Sequence, residues 1–410
     1  MDFELRPEIA ALKKRVRAFI DEKVAPVEEA HRREIAHGEG DWRRWSVPAE
    51  LEALKAEAKA EGLWNFFLSD PALGAGLSVL DYAPIAEETG RYFMAPEVFN
   101  CAAPDTGNME VLWKYGSVEQ KERWLKPLLT GEIRSVFGMT EPAVASSDAT
   151  NMAATAVLDG DEVVINGRKW WSSGIGDPRA KIMIVMAKTP SESGGRHQQH
   201  SMVLVPIETK GVTIERMLPV FNDYDAYHGH GQVLFEDVRV PLSNVIAGLG
   251  RGFEIAQGRL GPGRIHHCMR CIGAAERTLD LMIDRGLERE AFGEKLIDLG
   301  GNRQMIADAR CAIDQARLLT LFAAWKLDRG GAKGAKIEIA AIKVVAPAML
   351  QKIADDAIQM FGGAGVTRDV PLTAFFAQGR VLRLADGPDE VHKETIAKQE
   401  IGRRQIERRA

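Results

Sequence analysis

Asp386 stands in Ala385-Asp386-Gly387-Pro388, where a carboxylate on a glycine-containing turn can either take up a proton or cap the helix that Pro388 opens. Thr140-Glu141-Pro142, with Ser146 close behind, offers hydroxyls and a backbone N–H that can reach a phosphate oxygen, and serves equally well as an ordinary turn. In Trp170-Trp171-Ser172-Ser173, strand alternation sends Trp171 and Ser173 to the same face. An indole beside a hydroxyl can cover a flat, polar-edged ring; the alternative is two tryptophans filling a β-domain core. Arg289 precedes Phe292-Gly293 in LEREAFGEKL, and its guanidinium fork matches paired phosphate oxygens, although Glu288 and Glu290 offer it a surface ion pair. Gln359 with Gly362-Gly363 reads either as a close backbone approach to a ligand or as a helix stop. Arg264 is followed by His266 and His267, and histidines in such a setting are structural more often than catalytic. Cys268 and Cys271 form a CxxC with no second Cys/His pair nearby, which argues against a zinc site.

Three kinds of element must position these groups. From Pro7 to about Arg134 apolar residues recur at helical spacing, as in Ile9, Leu12, Val16, Phe19 and Ile20, or Leu51, Leu54 and Ala58. Between about Ser135 and Ala247 the period changes to two. TAVLDGDEVVINGRKWWSS reads as strand, turn at Asp159-Gly160, strand, turn at Asn166-Gly167, strand, with further strands in KIMIVMAKT, HSMVLVPIE and GQVLFEDVRVP. After Gly252 the helical period returns, around Gly263 to Arg289, Arg303 to Leu327 and Ala335 to Phe361, punctuated by Gly330-Gly331, Gly362-Gly363 and Gly387-Pro388. The expected class is α+β: an N-terminal helical domain over 1–134, a middle β domain over 135–247 and a C-terminal helical bundle over 248–410. No repeat of solenoid period is visible.

Bulk properties narrow the function. A chain of 410 residues has room for two or three domains at roughly 150 residues each. A net charge of -5 provides no basic field for nucleic acid or an anionic membrane. Four cysteines, Cys101, Cys268, Cys271 and Cys311, are too few and too scattered for a disulfide framework and fit a reducing, cytoplasmic setting. No apolar run approaches the roughly 20 residues that span a bilayer, and MDFELRPEIA has neither a signal-peptide core nor the character of a presequence, so the mature protein is expected to start there.

Taken together, the segments resemble the acyl-CoA dehydrogenase family over nearly the whole chain. FGMTEPAVASSD (Phe137 to Asp148) looks like the family's flavin and thioester loop, and NGRKWWSSG (Asn166 to Gly174) like its flavin-shielding strand. LEREAFGEKL and QMFGGAG (Gln359 to Gly365) look like segments that reach FAD across a subunit boundary, and RVLRLADGPDEVH (Arg380 to His392) like the catalytic loop. Within the family the chain is most similar to the ten/eleven-like subgroup, whose eukaryotic members join this module to a kinase-like domain. The resemblance implies a β-barrel-like middle domain and a C-terminal four-helix bundle. It implies FAD held by Phe137, Met139, Thr140, Ser146, Trp171, Ser173, Arg289, Phe292, Gln359, Gly362 and Gly363, and an acyl-CoA contacted by Ser146, Arg264, Ala385 and Gly387. Two hydrogens would leave as an α-proton, taken by Asp386, and a β-hydride, taken by the flavin, with electron-transfer flavoprotein as the onward acceptor. A homodimer or homotetramer working in fatty acid β-oxidation is implied, with no metal.

The match is imperfect at the base. The family has a glutamate where Asp386 stands, and the loss of one methylene shortens the reach by about 1.5 Å, an error of a size that matters in catalysis. The family's other base position, on a helix expected to begin near Gly261, falls on Gly263, which has no side chain to accept a proton. Two rival functions share the fold: a nitroalkane-oxidase-like flavoprotein, which also uses an aspartate, and an inactive scaffold. Ala385 is small enough to admit a bulky acyl chain, and the subgroup raises an oxygenated acyl-CoA as a substrate.

Overall fold

Proline at the first helical turn, acid just behind it and apolar residues on one stripe are what start α1 (Pro7–Phe19), which buries Ile9, Val16 and Phe19. The computed structural model describes residues 4–36, 40–189 and 195–409. After α1 come α2 (Glu28–Ala36), α3 (Ala49–Ala60), α4 (Val79–Thr89), α5 (Ala95–Val98), α6 (Asp105–Tyr115), α7 (Val118–Gln120) and α8 (Lys126–Thr130). The strands are β1 (Arg134–Gly138), β2 (Thr155–Asp159), β3 (Glu162–Ser173), β4 (Ala180–Lys188), β5 (His200–Pro206), β6 (Val212–Met217) and β7 (His230–Pro241). Then follow α9 (Gly252–Glu288), a hairpin of β8 (Glu290–Ala291) and β9 (Glu294–Lys295), α10 (Gly300–Gly334), α11 (Lys336–Phe361), α12 (Leu372–Leu382) and α13 (Asp389–Glu407). The order is helices, one mixed sheet, then helices, as the α+β reading requires.

Two compact units contain these elements, one of Met1–Ala25, Gly76–Pro96 and Gly261–Ala410, the other of Pro26–Ala75 and Glu97–Leu260. In the first, α11 packs against α10, α12 and α13, and α4 against α1 and α10. Glu87 on α4 takes a forked ion pair from Arg317 on α10, while Glu276 on α9 takes another from Arg310. Glycine permits the closest approach in this unit: a Cβ at Gly273 on α9 would lie 1.9 Å from the Glu87 carbonyl oxygen. Among the described residues no helix is long and apolar enough to cross a membrane.

The second unit is built on a sheet ordered β1-β4-β2-β3-β7-β6, with β5 paired to β4. β2 and β3 turn at Asp159-Gly160 as expected, Gly160 taking φ +65°. The expected turn at Asn166-Gly167 does not form. β3 runs straight through it, and a bulge against β7 takes up the irregularity. Asn166 bonds Asp237 across that pairing in both directions, and Gly167 packs so closely on Ala154 that a Cβ would lie 2.6 Å from its Cβ. A dipeptide suited to a tight turn is equally suited to a bulge, and the partner strand decides. The helix expected to begin near Gly261 begins instead at Gly252, because buried Ile255 and Ala256 extend its apolar face upstream of Pro262.

Beneath the sheet lies a buried ion cluster. Arg134 pairs with Asp105 and Glu97, Arg179 with Asp177 and Glu97, and His228 lies 3.0 Å from Glu97 and 3.5 Å from Asp177. Burial opposes the charge on His228, but Glu97 and Asp177 outweigh it and hold its pKa up at about 9.

Candidate active site

The candidate site residues fall in both units. In the sheet unit, β3 points Val163, Ile165 and Lys169 inward in strict alternation, and then the pattern shifts: Lys169 pairs with Val233 but Ser172 with Gly231. Three residues on β3 therefore oppose two on β7, and Trp171 bulges outward at φ +52°. The expected shared face survives the bulge. Trp171, 40% exposed, lies 5.7 Å from the His230 ring, and the Ser173 hydroxyl is 2.8 Å from Nδ1 of the same imidazole. Burial lowers the pKa of His230, so near neutrality it presents an uncharged ring. An indole left this open at a left-handed position is not core filling.

The Thr140 loop is tied to this strand from below. Lys169, fully buried, donates from Nζ to Glu141 Oε1 at 2.6 Å and to the Met139 carbonyl at 3.0 Å. Glu141 accepts in turn from the N–H groups of Ala153 and Ala154, and the Thr140 carbonyl accepts from the Trp170 N–H at 3.0 Å. Burial pulls Lys169 down to about 8 against the opposing pull of Glu141, and at neutral pH it remains the cation of the pair. Ser146 bonds within the loop, its hydroxyl accepting from the Glu141 N–H at 2.9 Å. Phe137 sits on β1 with the Arg259 guanidinium 3.9 Å over its ring.

In the helical unit Asp386 is held in a left-handed backbone conformation, φ +56°, and Gly387 follows at φ +101°. The loop hangs on two cations. Lys343, buried on α11, donates to the carbonyls of Leu382 and Ala385, and Arg264 on α9 donates to the Asp386 carbonyl from Nε at 3.1 Å and Nη2 at 2.9 Å. Asp386 does not cap α13, whose N-cap is Pro388, with no side-chain bond. His392 is buried beside Gly387 and is pushed down to about 4 by burial and by Arg264 and Lys343, which leaves it neutral. His267 approaches the carboxylate itself, 3.6 Å from Oδ2. His266 packs edge-on against Tyr82 instead. Cys268 and Cys271 are buried on α9, where the Cys268 thiol bonds the Ile342 carbonyl.

The ends of α9 and α11 lie side by side, with the Arg285 guanidinium 5.3 Å from the Phe361 ring. Just past the end of α9 stands Arg289, exposed and without an ion pair among the described residues, and in the last turn of α11 stands Gln359, also exposed. Phe292 and Gly293, at φ +56° and +84°, make the two-residue turn of the β8–β9 hairpin and leave the Phe292 ring 100% exposed. Gly362, at φ +62°, ends α11, and a Cβ there or at Gly363 would meet nothing within 4 Å. An open indole with a hydroxyl beside it, an uncovered phenyl ring, an unpaired arginine and bare glycine backbone are what a large cofactor with a flat ring and a diphosphate needs. The residues present fit FAD.

Lys169, Glu141, His230 and Lys343 carry this geometry without having been singled out from the sequence. Two had a visible signal: Lys169 continues the inward parity of Val163 and Ile165, and Lys343 interrupts the apolar stripe of Ile339, Ala346 and Leu350. A lysine at an inward position has to be paired.

Profiles of the acyl-CoA dehydrogenase N-terminal, middle and C-terminal domains match residues 6–132, 136–238 and 250–401. Acyl-CoA dehydrogenase family member 11 of Mus musculus is 56% identical over 388 residues, which are 94% of this chain and 49% of that protein. Family member 10 of the same organism is 52% identical over 402 residues, 97% of this chain and 37% of that protein. The chain thus spans about half or less of the length of these curated relatives. A solved structure of a candidate acyl-CoA dehydrogenase from Mycobacterium abscessus superimposes with a TM-score of 0.95 at 57% identity, covering 98% of this chain and 100% of that one. This chain belongs to the acyl-CoA dehydrogenase family, in the subgroup of family members 10 and 11.

Proposed function

We propose that the chain oxidises an acyl-CoA thioester at its α and β carbons to the trans-2-enoyl-CoA, with Asp386 as the base. The observation that carries this reading is the Asp386 loop, whose carbonyls at 382, 385 and 386 are gripped by buried Lys343 and by Arg264. An α-proton next to a thioester is weakly acidic, so the base must be ionised and fixed before substrate arrives. The two cations favour the ionised carboxylate, and the backbone grip limits where it can swing. A shortened base is tolerable when its loop is pinned in this way.

FAD, when bound, supplies the acceptor for the β-hydride. Trp171 and Ser173 would lie against its ring and Thr140, Met139, Phe137 and Ser146 along its edge, while Lys169 and Glu141 keep that loop in register. Arg289, Phe292, Gln359, Gly362 and Gly363 would serve the FAD of a neighbouring subunit, which makes a homodimer or homotetramer part of the function. Ser146, Arg264, Ala385 and Gly387 would border the acyl-CoA. Electron-transfer flavoprotein as acceptor, and a role in cytoplasmic β-oxidation, complete the proposal.

The test is anaerobic mixing of the FAD-loaded protein with acyl-CoAs differing in length, branching and hydroxylation, and in parallel with nitroalkanes under air. Bleaching of the flavin by an acyl-CoA is expected. Asp386→Asn should retain FAD and lose bleaching; undiminished reduction in that variant removes Asp386 from the mechanism. Oxygen consumption with nitroalkanes and no bleaching by any acyl-CoA would reassign the chain to the oxidase chemistry, and a colourless protein unable to take up FAD would make it a scaffold.

A further inference from the structure

His267 lies on α9 with Nε2 3.6 Å from Oδ2 of Asp386. Its other ring nitrogen, Nδ1, is 3.4 Å from Nη2 of Arg270, one turn further along the same helix. A guanidinium can only donate, so in that contact Nδ1 is the acceptor, and the ring's proton sits on Nε2, the nitrogen facing the carboxylate. Arg270 is only 6% exposed, so the protein interior imposes this ring orientation. Asp386 and His267 have side chains 23% exposed each, open enough to meet a ligand and covered enough for their mutual field to count. Lys343 and Arg264 act on main-chain oxygens, whereas His267 addresses the carboxylate itself.

We propose that Arg270, His267 and Asp386 form an orienting chain in which the His267 Nε2–H holds Oδ2 and so fixes the direction of the carboxylate that takes the α-proton, making His267 the positioning residue for the base. This rests on the reading of Asp386 as the base. At 3.6 Å the pair is at ion-pair distance, and a small rotation of either side chain closes it to a hydrogen bond, a tightening expected when a ligand enters. The proton count is simple. Asp386 begins ionised and ends with the substrate's α-proton on its carboxyl group, while His267 keeps its own proton throughout. The arrangement answers the missing methylene: a shorter base needs its carboxylate, as well as its backbone, held in direction.

The charges around the carboxylate set the expected pH response. From α9 it is faced by Arg264, His267 and the Cys268 thiol, whose pKa burial raises, with Arg270 behind the imidazole. Lys343 faces it from α11 and neutral His392 from α13, where Asp389 is engaged by Arg383. Two cations survive the loss of His267, so Asp386 still ionises, but at higher pH than with the imidazole donor present.

Stopped-flow flavin reduction by short, medium and long straight-chain acyl-CoAs, followed across pH in the holoenzyme, tests this. His267→Leu should reduce the flavin roughly ten- to a hundredfold more slowly, with the acid limb of its pH profile moved to higher pH. His267→Gln, which keeps an N–H near the position of Nε2, should recover much of the rate. A wild-type rate and acid limb in His267→Leu, or two equally slow variants with an unmoved limb, overturns the proposal. A measurement free of turnover separates this from the base assignment: NMR titration of the His267 imidazole in isotopically labelled holoenzyme, wild type against Asp386→Asn. Its midpoint should fall when the neighbouring anion is removed, and an unchanged midpoint also overturns the pairing. Undiminished flavin reduction in Asp386→Asn would instead defeat the base reading, whatever the imidazole does.

Discussion

Removing a charge from water is affordable only when its partners come too, and the sheet unit of this protein does this in two different ways. Lys169 and Glu141 form a closed pair under the candidate flavin loop. His228 belongs to a larger set with Glu97, Asp177, Arg134 and Arg179, which keeps the imidazole protonated at a pH where a free one is neutral. With a folded pKa of about 9 against about 6.5 in the unfolded chain, His228 binds an extra proton in the native state between those values. Its stabilisation is therefore complete below pH about 6.5 and lost as pH rises through 9. The side chain is 28% exposed, so water screens part of the effect, and on the order of 1–3 kcal/mol is expected. Urea unfolding of wild type and His228→Gln should show a stability gap that narrows between those pH values; a constant gap would mean the imidazole is not charged as described. None of this was legible residue by residue. Strand alternation displays Trp171 and Ser173, and resemblance to the family's catalytic loop points to Asp386, whereas His228 acquires its partners from segments far apart in the chain.

At the level of elements, what the sequence conveyed was period, and what it withheld was pairing. GQVLFEDVRVP was legible because burial alternates along it, and KIMIVMAKT and HSMVLVPIE because each is a short apolar run buried almost throughout. Asn166-Gly167 was misread because the choice between turn and bulge is made by β7, and β6 went unnoticed because its mixed VTIERM is an edge strand with few buried positions. Close helix approach is equally silent. Gly273 looks like any helical glycine, yet a side chain there would drive into the Glu87 backbone at 1.9 Å, where no rotamer can give way. Gly273→Val should therefore cost about 1–3 kcal/mol or more by forcing α4 and α9 apart, despite valine's better helix propensity. Gly363→Ala, where a Cβ meets nothing, is the control and should leave the urea midpoint nearly unchanged. Equal effects at the two positions would show that α4 and α9 do not cross as closely as described.

Over the whole molecule, the exposed groups say more than the buried ones. A phenyl ring left entirely in water at Phe292, with Leu287 and Val366 also exposed on segments at the ends of α9 and α11, forfeits burial energy that a monomer would ordinarily recover. Arg289 stands in the same stretch without an internal ion pair among the described residues, so replacing it breaks nothing within its own chain. If the guanidinium serves the diphosphate of FAD in a neighbouring subunit, Arg289→Ala should leave the urea midpoint of the apoprotein within about 0.5 kcal/mol of wild type while flavin retention falls. The ratio of flavin to protein absorbance after gel filtration measures this. The wild-type ratio should also drop on dilution into the range where the oligomer dissociates, because half of the contacts would leave with the partner. Added salt should accentuate the loss in wild type and matter little in Arg289→Ala, since an arginine–phosphate contact at an exposed site is screened and its absence cannot be. Full flavin occupancy in the variant, or a wild-type occupancy insensitive to dilution, would return the cofactor wholly to one subunit and leave Phe292 without a reason to be exposed.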